Sequence, residues 1–193
     1  MEFYPFKFHK SRQWSLEHIH AQKSELLDKS KKEPWFKWLN YHADLIIELI
    51  SEERDEVVKA EWEDLLEEIN QCHNDKLTWE RFNLLSGKII DMFTETSTHH
   101  SDDLHAISNL ALLSQPDNAA LNNSVFEVKR RAIIEMDKNG NYIPLCTRRA
   151  FLKYYNNKPS TQQNYCWGRD DRENYFQEIK KVLNPYLIQP ALN

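Results

Sequence analysis

SLEHIHAQ, residues 15–22, sets a carboxylate beside an imidazole and adds a second imidazole two positions on. Apolar and polar residues mix here over a short span, which reads as a strand. Neighbours in a regular strand point to opposite faces, so His18 and His20 would share a side and Glu17 and His18 would not. For Glu17 and His18 to serve one site, the strand must end or twist there, or the two must act from opposite sides of the reacting group.

The flanks of this stretch differ. Residues 1–22 read as extended, with Phe3, Pro5, Phe6 and Phe8 leading into Trp14, Leu16 and Ile19. Residues 35–96 read as helix. Trp35, Trp38, Leu39, His42, Leu45, Ile46, Leu49 and Ile50 recur at three and four. Val57, Val58, Trp62, Leu65, Leu66 and Ile69 form a second stripe, and Trp79, Phe82, Leu85, Ile89, Met92 and Phe93 a third. Breaks are expected near Ser51–Asp55 and Gln71–Thr78. The acids of the block are its solvated faces.

Polar STHHSDD, residues 97–103, reads as a loop, and the apolar run LHAISNLALLS that follows reads as a second extended segment. Ser114-Gln-Pro-Asp117 then starts a helix, with a serine cap, proline in the first turn and an acid three residues on. Ser124-Val-Phe-Glu127 has the pattern of a capping box. It opens a helix predicted to stop near Asn139-Gly140. Asn141–Thr147 is strand-like. A last helix is predicted from Asp170 or Asp171 to just before Pro185, with Tyr175, Phe176, Ile179, Val182 and Leu183 inward.

Composition narrows the function classes. Six Trp, eight Tyr and nine Phe among 193 residues suffice for a packed core, while three Gly leave no room for a glycine-rich phosphate loop. No apolar run is long enough to span a bilayer, and the N-terminus does not read as a signal peptide, so the expected location is cytoplasmic. Cys72, Cys146 and Cys166 are far apart and form no CxxC pair, which argues against a zinc-thiolate site. The net charge is −5, yet residues 126–160 hold 8 basic and 3 acidic side chains against 5 and 14 in residues 48–95. A local basic stretch of this kind can touch a polyanion.

With the helical block set aside, a carboxylate and histidine on one extended segment meet Asn109 and Asn118 on an extended-turn-helix segment. One carboxylate and one amide oxygen suit a hard cation that keeps several waters. A neutral histidine nearby can take a proton from attacking water. Glu17-His18-Ile19, then Ser108-Asn109-Leu110 with Leu112-Leu113, then Asn118 nine residues after Asn109, resembles the ββα-metal motif of HNH nucleases. More specifically, WSLEHIHAQ, ISNLALLSQPDNAALNNSVFEVKRRAII, YIPLCTRRAFLKYY and Trp167-x-x-Asp170-Asp171 are similar to the C-terminal nuclease domain of GmrSD-type restriction proteins, which are modification-dependent anti-phage enzymes. The similarity covers roughly residues 1–22 and 104–187. Many such motifs carry proline three residues after the base, where Ala21 stands here.

The resemblance implies an α+β fold: a ββα-metal (His-Me finger) core in a single nuclease domain over residues 1–193, with a helical insertion at about 30–96 and a C-terminal helix. It implies a DNA endonuclease or nickase dependent on one Mg²⁺ or Mn²⁺, acting as the cleavage module of a restriction or phage-defence system. Glu17 and Asn118 would hold the metal, His18 would be the general base, and Asn109 would brace the loop and orient it. His20 and Asn122 would support the site or substrate, and Lys129, with Arg130 and Arg131, would meet DNA phosphate. It also implies a nucleotide-hydrolysing, substrate-sensing domain as an N-terminal partner outside this chain. The competing expectation is a catalytically inactive module of the same fold that binds DNA or protein.

Overall fold

In a computed structural model, which describes residues 6–20, 27–72, 77–94, 105–121, 124–155 and 165–187, the first part of the chain runs α1 (Phe6–Lys10), β1 (Trp14–His18), α2 (Lys32–Glu52), α3 (Glu56–Asn70) and α4 (Trp79–Met92). A 3₁₀ turn, Ile107–Asn109, leads into β2 (Leu110–Ser114) and α5 (Gln115–Leu121). The chain continues as α6 (Phe126–Lys138), α7 (Leu145–Phe151) and α8 (Arg169–Leu183). The class is α+β, predominantly helical, with one two-stranded antiparallel sheet. No helix among the described residues is long and apolar enough to cross a membrane.

The three stripes become α2, α3 and α4, broken where the sequence predicts. Asp55 caps α3 by accepting from the backbone N–H of Val57 at 2.9 Å, and Thr78 caps α4 by accepting from Arg81 at 3.2 Å. Trp35, Trp38, Leu39, Leu45, Ile46, Trp62, Leu65, Ile69, Phe82, Leu85 and Ile89 bury one core between them. Val57, placed inward by the stripe, is 70% exposed. The next residue, Val58, packs on the core, and Val57 lies about 100° around the helix from it.

The second core gathers Ile19, Ala111, Leu113, Leu121, Phe126, Ile133, Ala150, Phe151, Trp167 and Tyr175. Phe126 stacks on Phe151 and on Trp167 at centroid separations of 5.7 and 5.6 Å. Val125 and Phe126, consecutive at the start of α6, feed the first and second cores respectively. Helix α6 is therefore the shared wall between the helical block and the sheet half.

β1 and β2 pair with Glu17 opposite Ala111 and His18 opposite Leu110. The outer edge of β2 is covered by side chains. Thr147 Oγ1 donates to Leu112 O at 2.7 Å and Tyr175 Oη to Leu110 O at 3.4 Å, which blunts an edge that would otherwise offer unpaired carbonyls.

Several expectations are corrected. Phe6–Lys10 is a helical turn, not a strand. Trp14 Nε1 donates to His9 O at 2.7 Å and its ring stacks on His9, and this folds the turn back onto the start of β1. Asn141–Thr147 is loop and then helix: Pro144 takes an extended conformation directly before α7, and the segment meets β2 through the Thr147 hydroxyl, not through a backbone ladder. Ser124 is not the cap of α6; Val125 is, and Glu127 turns away to Arg130 and Arg131. On α8, Tyr175 is buried and Ile179 packs on the core, but Phe176, Val182 and Leu183 are exposed. Residues 175 and 179, one turn apart, occupy the single face that α8 gives to the core, and residue 176 lies about 100° around the helix.

Candidate functional site

The serine cap before α5 forms as its sequence requires. Ser114 Oγ accepts from Asp117 N at 3.4 Å and donates to Asp117 Oδ2 at 2.5 Å. β2 thus passes into α5 with no intervening loop, and α5 lies on the sheet it has just left. Asn118, in that first turn, donates from Nδ2 to Ser15 Oγ at 2.8 Å and to Leu16 O at 3.2 Å. Its Oδ1 makes no hydrogen bond among the described residues.

Burial follows the pleat of β1. Glu17 and Ile19 are buried with their faces inward, whereas Leu16 is 62% exposed and His18 and His20 are half-buried. Ser15, which Asn118 holds, shares the inward face with Glu17. Asn118 and Glu17 therefore sit along the same side of β1, while the His18 side chain leaves from the other. Regular pairing stops at His18.

Asn109 governs what happens at that end. It is fully buried. Its backbone O accepts from Ile19 N at 2.8 Å, and its Oδ1 accepts from His20 N at 2.8 Å. Two successive N–H groups just after His18 are thus held by one asparagine, which fixes the exit of the chain from β1. His20 Nε2 meets Thr94 Oγ1, at the end of α4, at 3.5 Å.

The His18 imidazole lies against a second one. His18 Nε2 and His105 Nδ1 are 3.3 Å apart, one donating and the other accepting. His105 is exposed, at the start of the segment leading to the 3₁₀ turn. Burial, then the Lys129 ammonium, then His105 hold the His18 imidazole below its ordinary value, which keeps it neutral and able to accept a proton near neutrality.

Of the three residues expected at DNA phosphate, Lys129 is turned inward. It is fully buried, with Nζ 2.5 Å from Glu17 Oε1 and 2.6 Å from His18 O. The approach to Oε1 is an ion pair off the hydrogen-bonding direction, and Oε1 has no other partner among the described residues. Burial pulls the lysine below its ordinary value, and Glu17 opposes that shift. The side chain cannot reach an external phosphate from there. Arg130 and Arg131 are committed to Glu127, at 2.9 and 3.1 Å, and Arg131 also pairs with Glu48 of α2. They tie α6 to itself and to the helical block. Asn122 lies outside the described residues.

Three further residues stand out in the structure that the sequence does not single out. His42, buried on α2, accepts from Val125 N at 3.2 Å through Nε2, so Nδ1 carries the proton and donates to Trp38 O at 2.7 Å. It is a cap for α6 supplied by another helix, and its burial pushes it down to about 3. His105 partners His18, and only its place near the second extended segment hints at that. Arg172 on α8 is 7% exposed and makes no side-chain ion pair or hydrogen bond among the described residues. Trp167, just before α8, and Tyr175, on it, donate to Ser108 O and Leu110 O, which places this part of α8 against the turn that precedes β2.

No known protein family, curated protein or solved structure matches this chain. Among the described residues, no group of three or more His, Cys, Asp and Glu side chains is placed to share a metal ion. The donor pair implied by the sequence is a different set, one carboxylate and one amide. The second Glu17 oxygen and Asn118 Oδ1, neither hydrogen-bonded among the described residues, flank the same side of β1 and are of the oxygen type that a hard cation takes.

Proposed function

We propose that this chain is a divalent-metal-dependent DNA endonuclease or nickase built on a ββα-metal core, with α2–α4 inserted between the two halves of its site. The observation that carries the reading is the convergence of Asn118 and Glu17 along β1. The Nδ2–Ser15 Oγ bond of 2.8 Å joins residues 103 positions apart, and β2, paired with β1, passes directly into the helix that carries Asn118.

Glu17 and Asn118 would hold one Mg²⁺ or Mn²⁺. When bound, such an ion supplies stabilisation of the charge that develops on the phosphodiester and its leaving oxygen. His18, kept neutral by its surroundings, accepts the proton of the attacking water. Asn109 fixes the backbone just beyond it, and so fixes the direction of the imidazole. A phosphate served by both residues would sit at the end of β1, because Glu17 and His18 leave the strand on opposite sides. With Lys129, Arg130 and Arg131 committed elsewhere, phosphate contact falls to other cations. Such contacts set position and salt dependence and leave target choice to a partner, a nucleotide-hydrolysing, sensing subunit in a restriction or anti-phage system.

Supercoiled plasmid incubated with Mg²⁺ or Mn²⁺ tests this. Wild type should convert it to open-circular form, and His18→Ala should be slower by about 100-fold or more. Equal nicking by the two proteins would reject the assignment. A second reading, an inactive module of the same fold that binds DNA or protein, is favoured by the commitment of Glu17 to Lys129, and binding without cleavage by the wild type would support it.

A further inference from the structure

We propose that Lys129 is a positioning residue that makes metal binding depend on the phosphodiester: it cancels the charge of Glu17, so the site holds a divalent cation weakly until a phosphate arrives. This rests on the nuclease reading above. Lys129 leaves α6 one turn after Val125 and reaches across the second core to β1. Its two partners are consecutive, the Glu17 carboxylate and the His18 carbonyl, so one ammonium pins both residues that the reaction needs. No part of the side chain reaches solvent. A buried ammonium persists only where such partners offset its lost hydration.

The charges follow. Glu17 and Lys129 sum to zero, and Asn118 is neutral. A cation on the free oxygen of Glu17 shares that carboxylate with an ammonium already 2.5 Å from the other oxygen, and repulsion between like charges is strong in a partly desolvated site. The missing negative charge is what a DNA phosphate brings. Metal and phosphodiester therefore bind with positive coupling, and by linkage each strengthens the other equally.

The test is Mn²⁺ titration of the full chain by calorimetry, with and without a DNA oligonucleotide, on wild type, Lys129→Gln and Lys129→Arg. Glutamine keeps a donor for Glu17 without the charge, and arginine keeps the charge. Wild type should bind Mn²⁺ about 10-fold or more tighter with DNA present. Lys129→Gln should bind Mn²⁺ about 10-fold tighter than wild type in the absence of DNA, with the gain from DNA largely gone, and Lys129→Arg should behave as wild type. Equal DNA-free affinities of wild type and Lys129→Gln would overturn the proposal while leaving the nuclease reading intact. Absence of Mn²⁺ uptake by wild type even with DNA would overturn both. Should Lys129→Gln fail to fold, the wild-type comparison decides alone: identical Mn²⁺ affinity with and without DNA rejects the coupling.

Discussion

The clamp between the helical block and α6 is open to a direct test through His42. This histidine is fully buried, accepts from Val125 N and must be neutral to do so. Burial holds its folded value down to about 3, against an ordinary 6.5. Because the folded value is depressed, the unfolded chain binds the proton first. The histidine's contribution is present in full above about pH 6.5 and fades as pH falls towards 3, at about 1.4 kcal/mol per unit. At about pH 4.5 the loss from this group alone is about 2.7 kcal/mol. His42→Gln keeps an acceptor for Val125 and does not titrate. Urea denaturation of both proteins at about pH 7 and pH 4.5 isolates the term, since the carboxylates are common to both. The stability gap between wild type and His42→Gln should shift by about 2–3 kcal/mol in favour of the variant on acidification. Parallel pH dependences would refute the buried neutral cap.

Two further outcomes follow from the site. Asn109→Ala leaves the N–H of His20 without its side-chain acceptor beside a fully buried position and should destabilise the fold by about 1–3 kcal/mol, read by urea denaturation, with a fall in nicking measured well below the melting point. The depressed His18 places the acid limb of the cleavage profile below pH 6.5. Activity should rise through that limb as the imidazole loses its proton and stay level through neutrality, and a plateau reached only above pH 7.5 or so would count against His18 as the base.

The parts of the structure legible in the sequence are those set by local chemistry. The three stripes of the helical block repeat over three to five turns each, so their period and the breaks between them are unambiguous, and the cap at Ser114 depends only on residues within three positions. Short runs were ambiguous. The aromatics of Phe6–Lys10 are too few to separate a helical turn from a strand, and the apolar run around Ile143 becomes loop and helix because a hydroxyl, not the backbone, meets β2. The Ser124 pattern has every local feature of a capping box. It is overridden because two arginines on the same helix take Glu127 and a histidine 83 positions away takes the first N–H.

The candidate site divides in the same way. Glu17, His18, Asn109 and Asn118 are singled out by a resemblance of residue types and spacing, and the pairing of β1 with β2 and the turn into α5 bring their two segments together. The inward turn of Lys129 could not be picked out in the sequence. Within Lys129-Arg130-Arg131 the three side chains fan around the helix, and only the fold shows that the first points through the core to Glu17 while the others stay with Glu127 and Glu48. The partnership of His18 with His105 is likewise a product of the turn before β2, 87 positions away in sequence.

The central claim is that Glu17 and Asn118 grip one cation beside His18. Crystals of the full chain grown with a DNA oligonucleotide and soaked in Mn²⁺ test it through anomalous diffraction. The account predicts a single anomalous peak within coordination distance of the Glu17 carboxylate and Asn118 Oδ1, with a DNA phosphate completing the shell and the His18 imidazole facing it. DNA bound with no peak between those two side chains, or a peak held by other residues, would contradict it.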